Sequence, residues 1–339
     1  MSIVLSHRTA RLYHAAPAKP APRATVPLEP CPLKPEPPDV ALVPRARQLL
    51  ERCGVPKSEL TTIEVLAPSA AHRRSGHGSF SHVWPYPIPA HGLIELERGI
   101  YVSSAALCTQ QIATTLGELE LIEYLFELCG HYGLPFNAEN SYIDRPPLAT
   151  SASLHQHVAN APGQRGINRL CKALRYVRGG TRSPMETALF IPIVGPRRLG
   201  ALNIQAIEVA RRVEVTGRAR SLTRRGHFEC DALLCKSGTD LEYNGIIHEE
   251  TEQAIIDTER ANAMAAMGYS VMNVNRYALF DPAAFRRLML AIMQREGKRP
   301  DRMPPGFFRK QEELRRFVLR RWLSRSRSAS GPVDLDGDF

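Results

Sequence analysis

The spacing of apolar residues is most regular between Ser183 and Arg295. Ser183-Pro184-Met185-Glu186 precedes an apolar run, with serine placed to cap a helix, proline at its first position and glutamate at its third. This predicts a helix over about 184–191. Strand-like segments follow at about 204–214, 227–234 and 240–245. A helix over about 252–267, a strand over 269–274 and a helix over 281–295 complete the series. The order α-β-β-β-α-β implies a mixed sheet flanked by helices, an α/β (α+β) class.

The N-terminal half is less regular. Ile3-Val4-Leu5 is a short apolar run, Ala41–Arg52 reads as a helix, and Thr61–Leu66 as a strand. Short strands are expected near Val83 and over Leu93–Val102. Thr115-Leu116-Gly117-Glu118 has the capping-box pattern. Leu119, Ile122, Leu125, Phe126 and Cys129 then mark one helix face, and Gly130 stops it. Further helices are expected over Ala152–Val158 and Ile167–Val177, and Gly179-Gly180 marks a boundary. Ten prolines between residues 17 and 44 predict an extended linker. The expected divisions are therefore an N-terminal segment (1–16) packing with the first domain, the linker (17–44), an N-terminal α/β domain (45–179), a second domain (180–298), and a basic helix with a disordered tail (299–339).

Charge adds one feature. From Arg286 to Arg327 there are 14 Lys/Arg against 4 Asp/Glu, which equals the whole formal net charge of +10. Such a block points to a polyanion, most simply DNA, with Arg309, Lys310, Arg315, Arg316, Arg320 and Arg321 as candidate contacts. The seven cysteines are scattered without a C-x-x-C pair, which fits reduced thiols in a cytoplasm rather than a disulfide framework or structural zinc. His72, Arg73, Arg74, His77 and His82 form a basic, histidine-rich loop without zinc-finger spacing, so no metal is expected there. No apolar run is long enough for a membrane span, and no membrane partner is expected.

The candidate chemistry rests on two acids. Asp231 and Glu242 lie on neighbouring predicted strands with ten residues between them. Two strands can bring both carboxylates to one point, and paired hard oxygens are what Mg²⁺ requires to act on a phosphodiester.

The motif series Ser183–Glu186, Phe228–Asp231, Glu242-Tyr243-Asn244-Gly245 with His248, Asp257 with Arg260, and Gly268–Val271 resembles the restriction-endonuclease-like PD-(D/E)XK fold. Within that fold it is similar to the domain-of-unknown-function family related to the very-short-patch-repair endonuclease. The resemblance covers roughly residues 180–295. More loosely, Leu5–Ala10, Thr62–Leu66 and the stretch from Val102 to Leu116 resemble the region that precedes this domain in abortive-infection type IV antitoxin proteins.

The resemblance implies a Mg²⁺-dependent DNA endonuclease site, in phage defence or DNA repair. Asp231 and Glu242 would hold the ion, Glu186 would complete the acidic cluster, and His248 would orient water or act as base. Arg260 would support the site or touch phosphate. Asn244 stands where that family usually carries an aspartate, which weakens metal binding. That departure and the antitoxin-like half keep a non-catalytic DNA-binding regulator as the alternative, with a cognate toxin or other protein as partner. A plain interaction module with structural acids is the third reading.

Overall fold

The computed structural model describes residues 2–17, 36–136, 142–244 and 251–323. The chain is mixed α/β and divides into two compact units, Met1–Val177 and Arg178–Phe339. Among the described residues no helix is long and apolar enough to cross a membrane.

The first unit is built on a five-stranded sheet. Its elements are β1 (Ile3–Leu5), α1 (His7–Ala15), α2 (Val43–Arg52), β2 (Ile63–Ala67), β3 (Ser79–Val83), β4 (Leu93–Glu97), β5 (Ile100–Ser103), α3 (Ala105–Ile112), α4 (Glu118–Cys129), β6 (Tyr132–Gly133), β7 (Ile143–Asp144), α5 (Ser151–Asn160) and α6 (Ile167–Leu174). The sheet order is β3-β2-β1-β5-β4. The three-residue run Ile3-Val4-Leu5 is thus its central strand, antiparallel to β2 and parallel to β5, and fully buried. A short, wholly apolar strand is what a position flanked by strands on both sides requires. Val4, Leu66, Trp84, Ile88, Leu93 and Leu107 pack as one cluster on this sheet.

Two expectations for this unit are corrected. Residues 18–35 of the proline-rich stretch lie outside the described residues, but the linker does not extend to 44. Asp39 caps a 3₁₀ turn over Val40–Leu42, which leads into α2. The capping pattern at Thr115 is not the one used. α4 begins after Gly117, whose N–H donates to Glu120 Oε2 at 2.7 Å. Ala105–Ile112 forms α3, with Ser104 Oγ accepting from Leu107 N at its start.

The second unit contains α7 (Pro184–Val194), β8 (Ile207–Glu214), β9 (His227–Leu234), β10 (Thr239–Asn244), α8 (Thr251–Ala266), β11 (Ser270–Asn275), α9 (Arg276–Phe280), α10 (Pro282–Arg295) and α11 (Phe307–Leu323). The sheet order is β11-β10-β9-β8, with β10 and β11 parallel and the other pairs antiparallel. Parallel neighbours need a crossover, and α8 supplies it. Phe228, Cys230, Leu233, Ala263 and Met264 bury the contact between sheet and crossover helix. α7 is apolar nearly all round and almost wholly buried, as expected of a helix enclosed by other elements.

The basic helix α11 is docked rather than free. Phe307, Leu314, Val318 and Leu319 are buried, and the helix packs on α7 and on the 3₁₀ turn Arg197–Leu199. Gly200 closes that turn at φ +93°, and a Cβ there would fall 2.4 Å from Gln311 N. Arg315 is consequently corrected as a DNA contact. Its guanidinium is buried, paired with Glu312 and bonded to the carbonyls of Leu279 and Phe280. Arg309 pairs with Glu313, Arg316 with Glu312, and Lys310 donates to the Arg198 carbonyl. Arg320 is exposed and Arg321 half-buried. The tail from 324 lies outside the described residues.

Leu314→Ala is expected to destabilise the protein by about 2–5 kcal/mol, through the cavity left in the α11 contact. Arg316→Ala, on the exposed face, should change stability by less than about 0.5 kcal/mol. Urea unfolding of the two variants checks this. A silent Leu314→Ala would mean that the helix is a loose appendage.

Candidate active site in the C-terminal unit

α7, β9, β10 and α8 each send an ionisable side chain into one polar pocket of about 320 Å³. Its lining includes Glu186, Asp231, Glu242 and Arg260, with Arg182, Arg225 and His227 also present. The register explains why the acids meet. β9 and β10 pair antiparallel through Leu241↔Ala232, so the next step of the ladder sets Glu242 opposite Asp231. There, side-chain bonds take over from the main-chain ladder. Asp231 Oδ2 accepts from Tyr243 N at 2.9 Å, and Glu242 Oε1 lies 3.3 Å from Asp231 N as its acceptor.

The other edge of β9 is irregular at the same point. β8 and β9 pair at Val209↔Ala232 and Arg211↔Cys230, stepping over Ala210 and Asp231. Ala210 lines the pocket and has φ +51°, a left-handed conformation that costs a non-glycine residue on the order of 1 kcal/mol. Such strain persists where surrounding structure enforces it, commonly at functional sites.

Arg260 is the local counter-charge. Its Nη2 donates to Asp240 Oδ2 at 2.8 Å, to the Glu229 carbonyl at 2.7 Å and to Glu242 Oε1. Its guanidinium carbon lies 5.7 Å from the centre of the Phe228 ring. Asp240 is fully buried, and its Oδ1 has no hydrogen-bond partner. The sequence reading missed Asp240. Its signal was present, because Asp240 and Glu242 are two apart on one strand and therefore share a face.

Glu186 does what its motif predicts locally. Ser183 Oγ accepts from Glu186 N, while Glu186 Oε1 and Oε2 accept from Ser183 Oγ and Arg182 N. The helix cap therefore engages both oxygens, even though the carboxylate also faces the pocket. Asn244 does not line the pocket. It is exposed at the end of β10, with Nδ2 donating to Asn273 Oδ1 at 3.2 Å. His248 lies outside the described residues.

A basic rim was also overlooked. Arg211, Arg212, Arg218, Arg220, Arg224 and Arg225 are exposed on the β8–β9 hairpin, and Arg182 pairs with Glu229 at the pocket. Six arginines within fifteen residues mark this rim in the sequence.

Burial raises the acids. Desolvation, then the charges of Asp240 and Asp231, push the Glu242 carboxyl up to about 9 against the pull of Arg260. Asp231 is also raised, mainly by desolvation, as is Glu186. Burial likewise raises the Cys230 thiol, so that it remains protonated and is no nucleophile. Among the described residues the acids do not bring three donor atoms within 4.8 Å of one another. His7, Glu64 and His82, in the first unit, do so.

No family model matches the chain, and neither a curated protein nor a solved structure matches it.

The raised carboxyls fix the sign of a pH effect. A carboxyl that binds its proton more tightly when folded contributes stability that is complete below the unfolded value and lost as pH rises through the folded one. For Glu242 that window runs from 4.5 to about 9. In EDTA, Tm is expected to fall across it, and Glu242→Gln, which cannot ionise, should flatten the fall. Thermal scans that give parallel profiles for the two proteins would refute the burial argument.

Proposed function

We propose that the C-terminal unit hydrolyses DNA phosphodiester bonds with Mg²⁺ at this pocket. The observation that carries the reading is the meeting of Asp231 and Glu242 from adjacent strands, with Glu186 beside them, under the arginines Arg182 and Arg225. An acidic floor suits a hard divalent cation, and a basic rim suits the phosphate it acts on. The element order α7-β8-β9-β10-α8-β11 and the positions of these acids also support the likeness to PD-(D/E)XK nucleases.

The donor chemistry fits Mg²⁺. Asp231 and Glu242 offer hard oxygens, and two carboxylates suffice when water and substrate complete the shell. The free oxygen of buried Asp240 leaves further negative potential unmatched. When bound, Mg²⁺ polarises phosphate oxygens and lowers the pKa of a water. Arg182 and Arg225 hold the phosphate, and His227 offers a ring nitrogen for proton transfer. With the ion held there, Arg260 would give up its contact with Glu242 and could keep the one with Asp240. The DNA partner then follows the β8–β9 hairpin, with the exposed charges of α11 contributing at longer range. The cysteines among the described residues are thiols and not disulfides, which suits a cytoplasmic setting. A cognate toxin or other protein partner is carried only by the loose antitoxin likeness of the first unit.

A second reading, a DNA-binding regulator without catalysis, is favoured by two observations. The Arg260 guanidinium already occupies Glu242 Oε1, and Asn244 bonds to Asn273 instead of adding a donor.

Purified protein with supercoiled plasmid separates these readings. Catalysis predicts Mg²⁺-dependent nicking that Asp231→Asn lowers by at least about 100-fold, equivalent to about 2.7 kcal/mol of transition-state stabilisation. DNA binding should survive that substitution. Arg225→Ala should lower the slope of log K against log salt by about 0.9, the value of one phosphate contact. Salt-sensitive binding without nicking selects the regulator. Absence of both sinks the two readings together.

A further inference from the structure

The first unit contains a second constellation, independent of the nuclease-like pocket. His7, Glu64 and His82 each present a donor atom, and all three lie within 4.8 Å of one another. They come from separate elements. His7 is the first residue of α1, Glu64 sits on β2, and His82 on the parallel neighbour β3. In the β2–β3 register Glu64 lies opposite Phe80 and Leu66 opposite His82, so Glu64 and His82 share a sheet face. Hydrogen bonds from Ser6 N to the Glu64 carbonyl and from Arg8 N to Glu64 Oε2 hold His7, between them in the chain, beside Glu64.

Several details exceed what packing requires. The His7 and His82 rings stack at 3.6 Å between centroids with 14° between planes. His82 Nε2 is buried and lies 3.2 Å from Glu64 Oε2, yet its alignment leaves it without a hydrogen bond. His7 holds φ +46°, a costly conformation for a β-carbon-bearing residue. His7 Nδ1 lies 3.1 Å from Ser6 Oγ, and Glu64 Oε2 accepts from Arg8 N at 2.8 Å. Metal-binding imidazoles and carboxylates are typically oriented by outer hydrogen bonds of this kind.

We propose that His7, Glu64 and His82 form a binding site for a divalent transition metal, with Zn²⁺ as the best fit. Two imidazoles and one carboxylate suit zinc and its neighbours rather than Mg²⁺ or Ca²⁺. Tetrahedral bonds of about 2.0–2.1 Å place donor atoms about 3.3 Å apart, so turning the stacked rings about their side-chain bonds brings the present set into range. His7 is buried, whereas the Glu64 and His82 side chains are 21% and 24% exposed, so a fourth position opens toward water. Three protein ligands with an open fourth position are the pattern of a reactive zinc rather than a closed structural one. The loop histidines His72 and His77 are not members. The cluster assembles through the fold, which is why local spacing did not reveal it.

The test uses the full-length protein stripped with EDTA. Zn²⁺ is titrated calorimetrically, and Co²⁺ by visible absorption. The expected result is one Zn²⁺ per chain with Kd on the order of 1 µM or tighter. Co²⁺ should show ligand-field bands without sulfur charge transfer. His82→Ala and Glu64→Gln should each weaken binding at least tenfold. His155→Ala, an exposed histidine on α5, should leave it unchanged. Circular dichroism establishes that each variant is folded, and the near-isosteric Glu64→Gln suffices if His82→Ala does not fold. A wild type with no such site overturns the proposal. So does affinity that survives both substitutions, or sulfur charge transfer, which would assign the metal to a cysteine instead, Cys171 and Cys235 being the exposed ones among the described residues. Zinc binding and plasmid nicking are read separately, so failure of either leaves the other standing.

Discussion

A guanidinium set among carboxylates governs the C-terminal unit. Asp240, Glu242 and Asp231 are brought together by pairing β9 with β10, and burying that much negative potential is unfavourable unless a cation or a proton answers it. Arg260 provides the cation from α8, the crossover between β10 and β11. Protonation of the raised carboxyls answers the remainder. Removing one partner of such a buried pair generally costs about 3–5 kcal/mol, because the other is left uncompensated. The same need for a cation makes the pocket a candidate for Mg²⁺. On the proposed function, Arg260 and Mg²⁺ would be competing solutions to one electrostatic problem.

The backbone around this cluster is shaped to it. Ala210 takes a left-handed conformation where β8 should face Asp231, and the β9–β10 ladder gives way to carboxylate–amide bonds. Each acid thereby takes up an amide N–H of the opposite strand, which orients it as firmly as a ladder hydrogen bond would. The site is where the β9–β10 ladder stops, with the two events sharing the same residues.

Much of this unit was legible in the sequence because its signals are local. Ser183, Pro184 and Glu186 announce the start of α7, and alternation through Phe228, Cys230 and Asp231 announces β9. Asp231 and Glu242 were found because an acid in an apolar strand is conspicuous. Asp240 was not singled out, although its spacing from Glu242 places both on one face. Features produced by tertiary contact were out of reach. Nothing near Arg315 signals that Leu279 and Phe280 will cover it, and nothing near Ile3 signals that three residues will form a central strand. The cluster of His7, Glu64 and His82 likewise exists only once β1, β2 and β3 have been placed.

The most direct test is a Mg²⁺ titration of Tm in the wild type and in Arg260→Met. If guanidinium and metal compete for the same carboxylates, metal-free Arg260→Met melts below the wild type, and Mg²⁺ raises its Tm by more than it raises that of the wild type. If Mg²⁺ leaves both melting temperatures unchanged, the carboxylates serve Arg260 alone and the pocket is not a metal site.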